Sequence, residues 1–281
     1  MTSVETPTLT PAEIAELAVT ALHDEADLTP KPGLVDRRGP GAHRDMSVDL
    51  LHTSAEELRR PLVQCAEVTT QLAIGPELRA RIGVIGRDGE TAMLDATGGV
   101  NTHRGALWAL GLLCAAAGAG AVTPDRAAGF AAELAGIPDP GLAGREPMSH
   151  GSRARQMFHV AGAKGEAQQG FPTVIRHALP TLRCTLDPRA ARLDALISVI
   201  AHLDDTCLLH RGGAHGLADV QAAARAVIAA GGVRTPAGWD GFGRLDRLCA
   251  RRRLSPGGAG DLLAAAIYLD ALDSGSRACR P

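Results

Sequence analysis

The sequence predicts an all-α protein folded as a single compact multi-helix domain. Helix-start signals recur along the chain, whereas the alternating Val, Ile and Thr runs that are typical of β-strands are almost absent. The 281 residues are 45% hydrophobic and 21% charged, which is typical of a folded chain with a sizeable core. Because no repeat or long linker divides the chain, we expect one domain over residues 1–281, with loose termini at 1–9 and 274–281.

Individual helices are located by their N-terminal signals. Thr10-Pro-Ala-Glu13 is a capping box with proline at the first helical position, and Ser54-Ala-Glu-Glu57 repeats the box ahead of an apolar stripe. The uncharged segment 105–122 is so rich in Ala and Gly that we predict a closely packed buried helix and not a membrane span. Further helix starts are predicted at Thr123-Pro124, Ser149 and Asp187-Pro188, and further helical stretches at 216–230, 241–253 and 258–272.

Composition excludes several functional classes. The formal net charge is −2 and only seven residues are aromatic, so neither a basic surface nor base-stacking platforms for nucleic acid are expected. Six cysteines are scattered without a CxxC pair, which indicates reduced thiols in a cytoplasmic protein. The N-terminus has neither the basic region nor the apolar core of a signal peptide. We therefore expect a soluble cytoplasmic protein with no nucleic-acid or membrane partner.

Four polar segments between the predicted helices carry the candidate chemistry, because sites commonly lie on loops held by a rigid scaffold. In the first, 29–46, prolines flank Lys31 and two acids alternate with three arginines and a histidine. Cations beside carboxylates suit a polyphosphate with its metal, since the cations neutralise oxygens while the acids hold Mg²⁺. A solvated surface loop is the alternative interpretation.

The second and fourth segments, 97–105 and 251–264, are Gly-rich turns that enter apolar helices. Such a turn presents free backbone N–H groups to an anion, and in the fourth segment three arginines precede it. Neither segment has the Walker A pattern. An ordinary capped helix is the alternative for each.

The third segment, 202–215, contains the adjacent acids Asp204 and Asp205. At a helix end both can reach one metal or one proton. Acids that only cap the helix are one alternative, and a zinc site is another, although the spacing matches no common zinc framework. The candidate zinc ligands are His202, Cys207, His210 and His215.

Taken in order, the motifs of these segments resemble the triphosphoribosyl-dephospho-coenzyme A synthase family. The resemblance extends from about residue 10 to residue 272. Two departures are visible: Arg104 stands where a lysine is common, and Ala259-Gly260 replaces a more usual Ser-Ala. The matching motifs are T-P-K-P-G-L-V-D-R at 29–37, G-A-H-R-D-M at 41–46, G-G-V-N-T-H-R-G-A at 98–106, G-F-P at 170–172, D-D-T-C-L-L-H-R-G-G at 204–213 and S-P-G-G-x-x-D-L-L-A-A at 255–265.

The resemblance implies a pentosyl transfer from ATP to 3′-dephospho-CoA with release of adenine. The product is the precursor of the prosthetic group of an acyl-carrier subunit, and the 204–210 stretch looks more like the malonate decarboxylase branch than the citrate lyase branch. We accordingly expect Mg²⁺, a downstream enzyme that loads the carrier subunit, and a homodimer. Two alternatives remain open: a metal-dependent ADP-ribosyl hydrolase, and a catalytically silent subunit that binds CoA or a nucleotide.

The resemblance also selects candidate site residues, although which acid has which role stays open. The catalytic candidates are Asp205, Asp204, Asp36 and Glu166; the candidates for binding the substrates and their phosphates are Lys31, Arg37, His43, Arg44, Asn101, His103, Arg104, Arg211, Gly257 and Gly258; the metal-ligand candidates are Asp36, Asp45, Asp204, Asp205 and Asp261.

Overall fold

The computed structural model of the protein describes residues 9–142, 153, 157, 158, 160 and 162–278. In these ranges the chain is helical and forms no β-strand, so the all-α prediction is confirmed. An isolated bridge pairs Asp36 with Gly39 in a loop. No helix in the described ranges combines the length and apolarity that crossing a bilayer requires.

In the described ranges the helices follow in chain order, and the connection between the first two covers residues 28–47. They are α1 (Pro11–Asp27), α2 (Val48–Glu57), α3 (Arg59–Val68), α4 (Pro76–Ala96), α5 (Arg104–Gly118), α6 (Pro124–Gly136), α7 (Gly162–Gln168), α8 (Leu179–Leu182), α9 (Pro188–His202), α10 (Thr206–Ala229), α11 (Pro236–Arg252) and α12 (Gly257–Ala278). A 3₁₀ turn covers Pro140–Leu142, and a π-helical turn at Val174–Ala178 leads into α8.

The helix starts confirm some predicted caps and correct one. Thr10 forms the full capping box with Glu13, and Asp187 caps α9. The box predicted at Ser54 is wrong: α2 already begins at Val48, capped by Ser47, and Ser54 lies inside it. Its hydroxyl is buried and bonded to another segment, so it is not available to cap α3.

Several boundaries differ from the prediction. Helix α4, with 21 residues, was not predicted, because three glycines and many charges interrupt its apolar face. Helix α10 begins ten residues before the predicted stretch and continues through a kink at Gly213. The last helix reaches Ala278, although a loose end was expected from residue 274. The helix start predicted at Ser149 lies outside the described residues.

The uncharged stretch forms α5, which is the centre of the core. Its residues from Ala106 to Ala117 are almost all buried, and it packs against α1, α3, α4, α6 and α12. The small side chains allow the close approach, since a Cβ on Gly118 would clash with Ala66 of α3. The second buried helix is α12, which packs against α1, α5 and α9. Both helices therefore have fixed N-termini, and these N-termini carry the candidate site.

Candidate active site at three helix N-termini

The four polar segments meet at one place, where helices α5, α10 and α12 begin. Asp205 precedes α10, and its Oδ1 accepts hydrogen bonds from the backbone N–H groups of Cys207 at 2.7 Å and Leu208 at 3.3 Å. Its Oδ2 accepts from the N–H of Ala259 in α12 at 3.1 Å, and the N–H of Gly258 also contributes. One buried carboxylate thus caps two helices. Burial raises its pKa to about 6, although these hydrogen bonds oppose the shift.

Asp261 joins α12 to α5. Its carboxylate accepts a hydrogen bond from the backbone N–H of Ala106. A Cβ on Gly105 would lie 2.8 Å from Asp261 Cγ and would overlap Oδ2, so glycine is required for this approach. The loss of water raises the pKa of Asp261 well above its usual range, and the nearby carboxylates of Asp205 and Glu25 add to the shift.

A buried ion pair lies beside these carboxylates. Lys31 is 1% exposed, and its Nζ donates to the carbonyl oxygen of Glu25 at 2.6 Å and to Glu25 Oε1 at 2.8 Å. Glu25 in turn lies against α12, since a Cβ on Gly260 would be 3.1 Å from its Oε1. The sequence predicted that Lys31 meets phosphate, but the structure engages the ammonium inside the protein. A phosphate contact would require Lys31 to leave Glu25.

Asp36 organises the first segment and is fully engaged. It accepts hydrogen bonds from the backbone N–H of Lys31 at 2.7 Å and from both the N–H and Nε of Arg38. Arg38 extends this contact to Asp246 of α11. Asp36 is 3% exposed and its oxygens are occupied, so in this arrangement it holds the first segment together.

His43 and Arg211 attach the first segment to the fourth. The His43 Nε2 lies 2.9 Å from Ser255 Oγ, and its Nδ1 lies 3.3 Å from Arg211 Nη2. Arg211 also donates to the carbonyl oxygen of Ala42 at 3.1 Å. Burial and the positive charge of Arg211 lower the pKa of His43, so the imidazole is neutral at neutral pH. The guanidinium of Arg211 is exposed beside it.

His103 lies at the start of α5, with its ring held from α2. Its Nδ1 is 2.8 Å from Ser54 Oγ, which is also 2.6 Å from Thr102 Oγ1. Its Nε2 is buried without a hydrogen-bond partner among the described residues. Burial, together with the charge of Lys31, lowers the pKa of His103 to about 3, so this imidazole stays neutral.

The remaining predicted residues divide between the rim and other contacts. Glu166 is half-buried on α7 and accepts from the N–H and hydroxyl of Thr173; burial raises its pKa, and Asp204 adds to the shift. Gly257 and Gly258 form the turn before α12, where a Cβ on Gly258 would crowd Asp205. The exposed side chains of the four segments are Arg37, which pairs with Asp27, and Arg44, Asp45, Asn101 and Asp204. Arg104 is about two-fifths exposed and pairs with Glu90.

The five acids predicted as metal ligands do not gather into a metal centre. The described ranges contain no group of three or more His, Cys, Asp or Glu placed to hold an ion. The zinc alternative has no support in these ranges either, because His202 stacks on His177 at 3.7 Å and burial raises the pKa of the Cys207 thiol. A resident metal held by protein ligands alone does not fit this site.

Sequence reasoning missed three residues of the site: Glu25, Arg38 and Ser54. Glu25 gave a signal, because it occupies the same helical face as Ile14, Ala18 and Leu22, where an acid is out of place. Ser54 was interpreted as a cap. Arg38 carried no signal that distinguishes it from its exposed neighbour Arg37.

Comparison with known proteins identifies the family of the chain. A family model described as CitG: ATP:dephospho-CoA triphosphoribosyl transferase matches residues 11–280. The chain belongs to this family. It therefore belongs to a family of transferases, and the family named from the sequence motifs is confirmed.

Curated relatives carry the corresponding name over nearly their whole length. Proteins named "Probable 2-(5''-triphosphoribosyl)-3'-dephosphocoenzyme-A synthase" are 49% identical in Azotobacter vinelandii and 50% identical in Stutzerimonas stutzeri, each over 92% of this chain and 91% of the relative. One from Pseudomonas fluorescens is 47% identical over 97% of this chain and 96% of the relative. No solved structure matches the chain significantly.

Proposed function

We propose that the chain transfers the triphosphoribosyl group of ATP to a ribose hydroxyl of 3′-dephospho-CoA and releases adenine. The bond from the ribose anomeric carbon to adenine breaks, a bond from that carbon to the acceptor oxygen forms, and the acceptor's proton ends on adenine. The observation that carries the proposal is the family match over residues 11–280, together with the meeting of all four motif segments at three helix N-termini.

The carboxylates of the site suit cleavage of an N-glycosidic bond. Departure of adenine builds positive charge on the ribose, which a nearby carboxylate stabilises. A second group must protonate the purine and a third must accept the hydroxyl proton. Asp261, with its raised pKa, is our candidate for the acid, and Asp205 is our candidate for the group that stabilises charge or accepts the proton.

The helix N-termini and the rim arginines suit the phosphates of two nucleotide substrates. The Gly-rich turns before α5 and α12 and the start of α10 bring partial positive charge to one place. Arg211, which contacts His43 beside Ser255, is exposed, as is Arg44, and guanidinium groups bind phosphate oxygens in pairs. Arg104 takes part at the start of α5. ATP binding is supported by this combination of charge and backbone donors.

We infer that Mg²⁺ arrives with the nucleotide and is not a resident ion. Mg²⁺ is commonly held by substrate phosphates with one or two carboxylates. Asp204 and Asp45 are the exposed metal-ligand candidates and are open to such an ion. Bound there, the ion would neutralise phosphate charge, and the steps at the anomeric carbon remain with the side chains.

The product is proposed to serve malonate decarboxylase. The D-D-T-C-L-L-H stretch at 204–210 supports this branch over citrate lyase. An enzyme that loads the acyl-carrier subunit would consume the product, and a cytoplasmic location is consistent with both substrates. We also propose that the chain acts as a homodimer, which sedimentation of the purified protein would test.

Product analysis by mass spectrometry tests the reaction. Purified protein is incubated with ATP, Mg²⁺ and 3′-dephospho-CoA, and the nucleobase and CoA species are resolved. The proposal predicts free adenine and a triphosphoribosyl adduct of dephospho-CoA in equal amounts. Adenine with a hydrolysed ribosyl product and unchanged dephospho-CoA would identify a hydrolase. Unchanged substrates would identify a silent binding subunit.

A further inference from the structure

The seam between α4 and α5 holds buried N–H donors that lack acceptors. Arg79 of α4 is 4% exposed, and its Nε and Nη1 have no hydrogen-bond partner in the described part of the chain. The Trp108 Nε1 and Arg104 Nε atoms, both on α5, are also buried and also lack a hydrogen-bond partner in these ranges. Buried polar groups are nearly always hydrogen-bonded, so four orphan donors along one seam indicate a missing acceptor.

The charges along the seam are also incompletely paired. The carboxylate of Asp139 lies near two guanidinium groups. Arg87 Nη1 is 2.8 Å from Asp139 Oδ2, whereas Arg79 Nη1 is 3.5 Å from the same oxygen, which is longer than a hydrogen bond. Arg104 pairs with Glu90 of α4. Three guanidinium groups thus share two carboxylates in the described contacts. Burial lowers the pKa of Arg79, as expected for a cation that lacks a full counter-charge.

The seam is continuous with the candidate active site. Arg104 directly follows His103, and Trp108 lies one turn further along the same face of α5. The Arg79 guanidinium stands over the Trp108 ring, with its carbon 5.3 Å from the ring centroid. The donors therefore lead away from the start of α5 along α4, beyond the helix N-termini already described.

We propose that this seam is a phosphate-binding subsite formed by Arg79, Arg104 and the indole N–H of Trp108. Several guanidinium donors with an indole N–H match the three oxygens of a phosphate group better than a single planar carboxylate. The identity of the ligand rests on the proposed function: its source is the triphosphate of ATP or the diphosphate of 3′-dephospho-CoA. The subsite would hold that end of the substrate while the ribose lies at the helix N-termini.

The fluorescence of Trp108 tests the proposal without turnover. The chain has two tryptophans, and Trp239 lies on α11, which packs against α10. A Trp239→Phe protein therefore reports on Trp108 alone, whose ring is in the field of Arg79. We would titrate this protein with sodium tripolyphosphate and, separately, with 3′-dephospho-CoA at constant ionic strength. A saturable change with one of them is expected, and the ligand that binds more tightly identifies the source.

Two further substitutions in the Trp239→Phe protein distinguish binding at the subsite from nonspecific attraction of the ligand to positive charge. Arg79→Met should raise the apparent Kd about tenfold or more, since it removes charge-assisted hydrogen bonds. Arg81→Met, a matched loss of an exposed arginine on the same helix, should leave the Kd within about twofold. If circular dichroism shows that Arg79→Met has lost its helices, Arg79→Lys replaces it. That variant keeps the charge but loses the planar fork, so at least threefold weaker binding is expected.

Two results would overturn the subsite. One is the absence of any saturable change with both ligands, and the other is equal binding by the folded Arg79 and Arg81 variants. The outcome is separable from that of the proposed reaction. Binding that depends on Arg79 in a protein that releases no adenine would leave the subsite standing and reject the reaction, and turnover without such binding would do the reverse.

Discussion

Replacing Gly105 with alanine is expected to damage both stability and activity, although alanine is ordinarily the better helix former. Gly105 lies in the first turn of α5, where Gly→Ala usually stabilises a protein by about 0.5–1 kcal/mol. Here the new Cβ would overlap Asp261 Oδ2 and lie 2.8 Å from its Cγ. Either the Asp261 side chain or the start of α5 must move, and the hydrogen bond from the Ala106 N–H is then lost.

The magnitude follows from that lost contact. A hydrogen bond to a charged or buried carboxyl group contributes about 1.5–3 kcal/mol, and the gain in helix propensity offsets part of it. We therefore expect Gly105→Ala to lower the free energy of unfolding by about 1–2 kcal/mol. For a chain of this size that corresponds to a decrease of roughly 2–8 °C in the thermal midpoint. Adenine release should fall about tenfold or more, because Asp261 is displaced from the site.

Gly86→Ala is the matched control. Gly86 lies inside α4, and a Cβ built there meets nothing within 4 Å, so this variant should gain about 0.5–1 kcal/mol and keep its activity. Thermal unfolding by circular dichroism and the rate of adenine release would be measured for both variants. If Gly105→Ala is stabilised like Gly86→Ala and releases adenine at the wild-type rate, the Asp261 carboxylate does not pack against Gly105 of α5.

Three other predictions concern the buried charges and the metal. Glu25→Gln and Lys31→Met should each lower the free energy of unfolding by about 3–5 kcal/mol in urea titrations, because each leaves the partner's charge buried and unpaired. The double variant should lose less than the sum of the two, and additive losses would contradict the ion pair. As pH falls from 6.5 towards 5, the unfolded state should take up a proton that native His103 does not bind. Wild type should therefore lose stability relative to His103→Gln, with a slope that approaches about 1.4 kcal/mol per pH unit; parallel pH curves would contradict the buried neutral imidazole. Chelation of divalent metal should abolish adenine release, and added Mg²⁺ or Mn²⁺ should restore it. If the purified protein contains stoichiometric zinc, and a Cys207 variant does not, the metal does not arrive with ATP.

The fold was predictable wherever local signals agree with the tertiary structure. Thr10 and Asp187 cap the helices that follow them, and the uncharged Ala- and Gly-rich stretch became the buried helix α5. Helix α4 was missed because its glycines fit close contacts, such as that of Gly89 with Pro61, that depend on neighbouring elements. A local pattern does not contain this information.

The site was predictable as a set of segments but not as a set of roles. All four segments meet, yet Lys31 and Asp36, which look equivalent to other charged loop residues, are engaged within the protein. Ser54 has the spacing of a capping box but bonds to His103, 49 residues away. Spacing in the sequence indicates which neighbouring groups can hydrogen-bond to each other. Which residues distant in sequence become partners is determined by how the helices pack.

The central claim is that adenine leaves only when an acceptor hydroxyl is in place, and the most direct measurement is adenine release from ATP with and without 3′-dephospho-CoA. Water must be kept from a ribosyl group that carries positive charge, so release should be absent, or far slower, without the acceptor. With the acceptor present, adenine and the dephospho-CoA adduct should form at equal rates. Adenine release at the same rate in both reactions would contradict the transferase mechanism and indicate hydrolysis at this site.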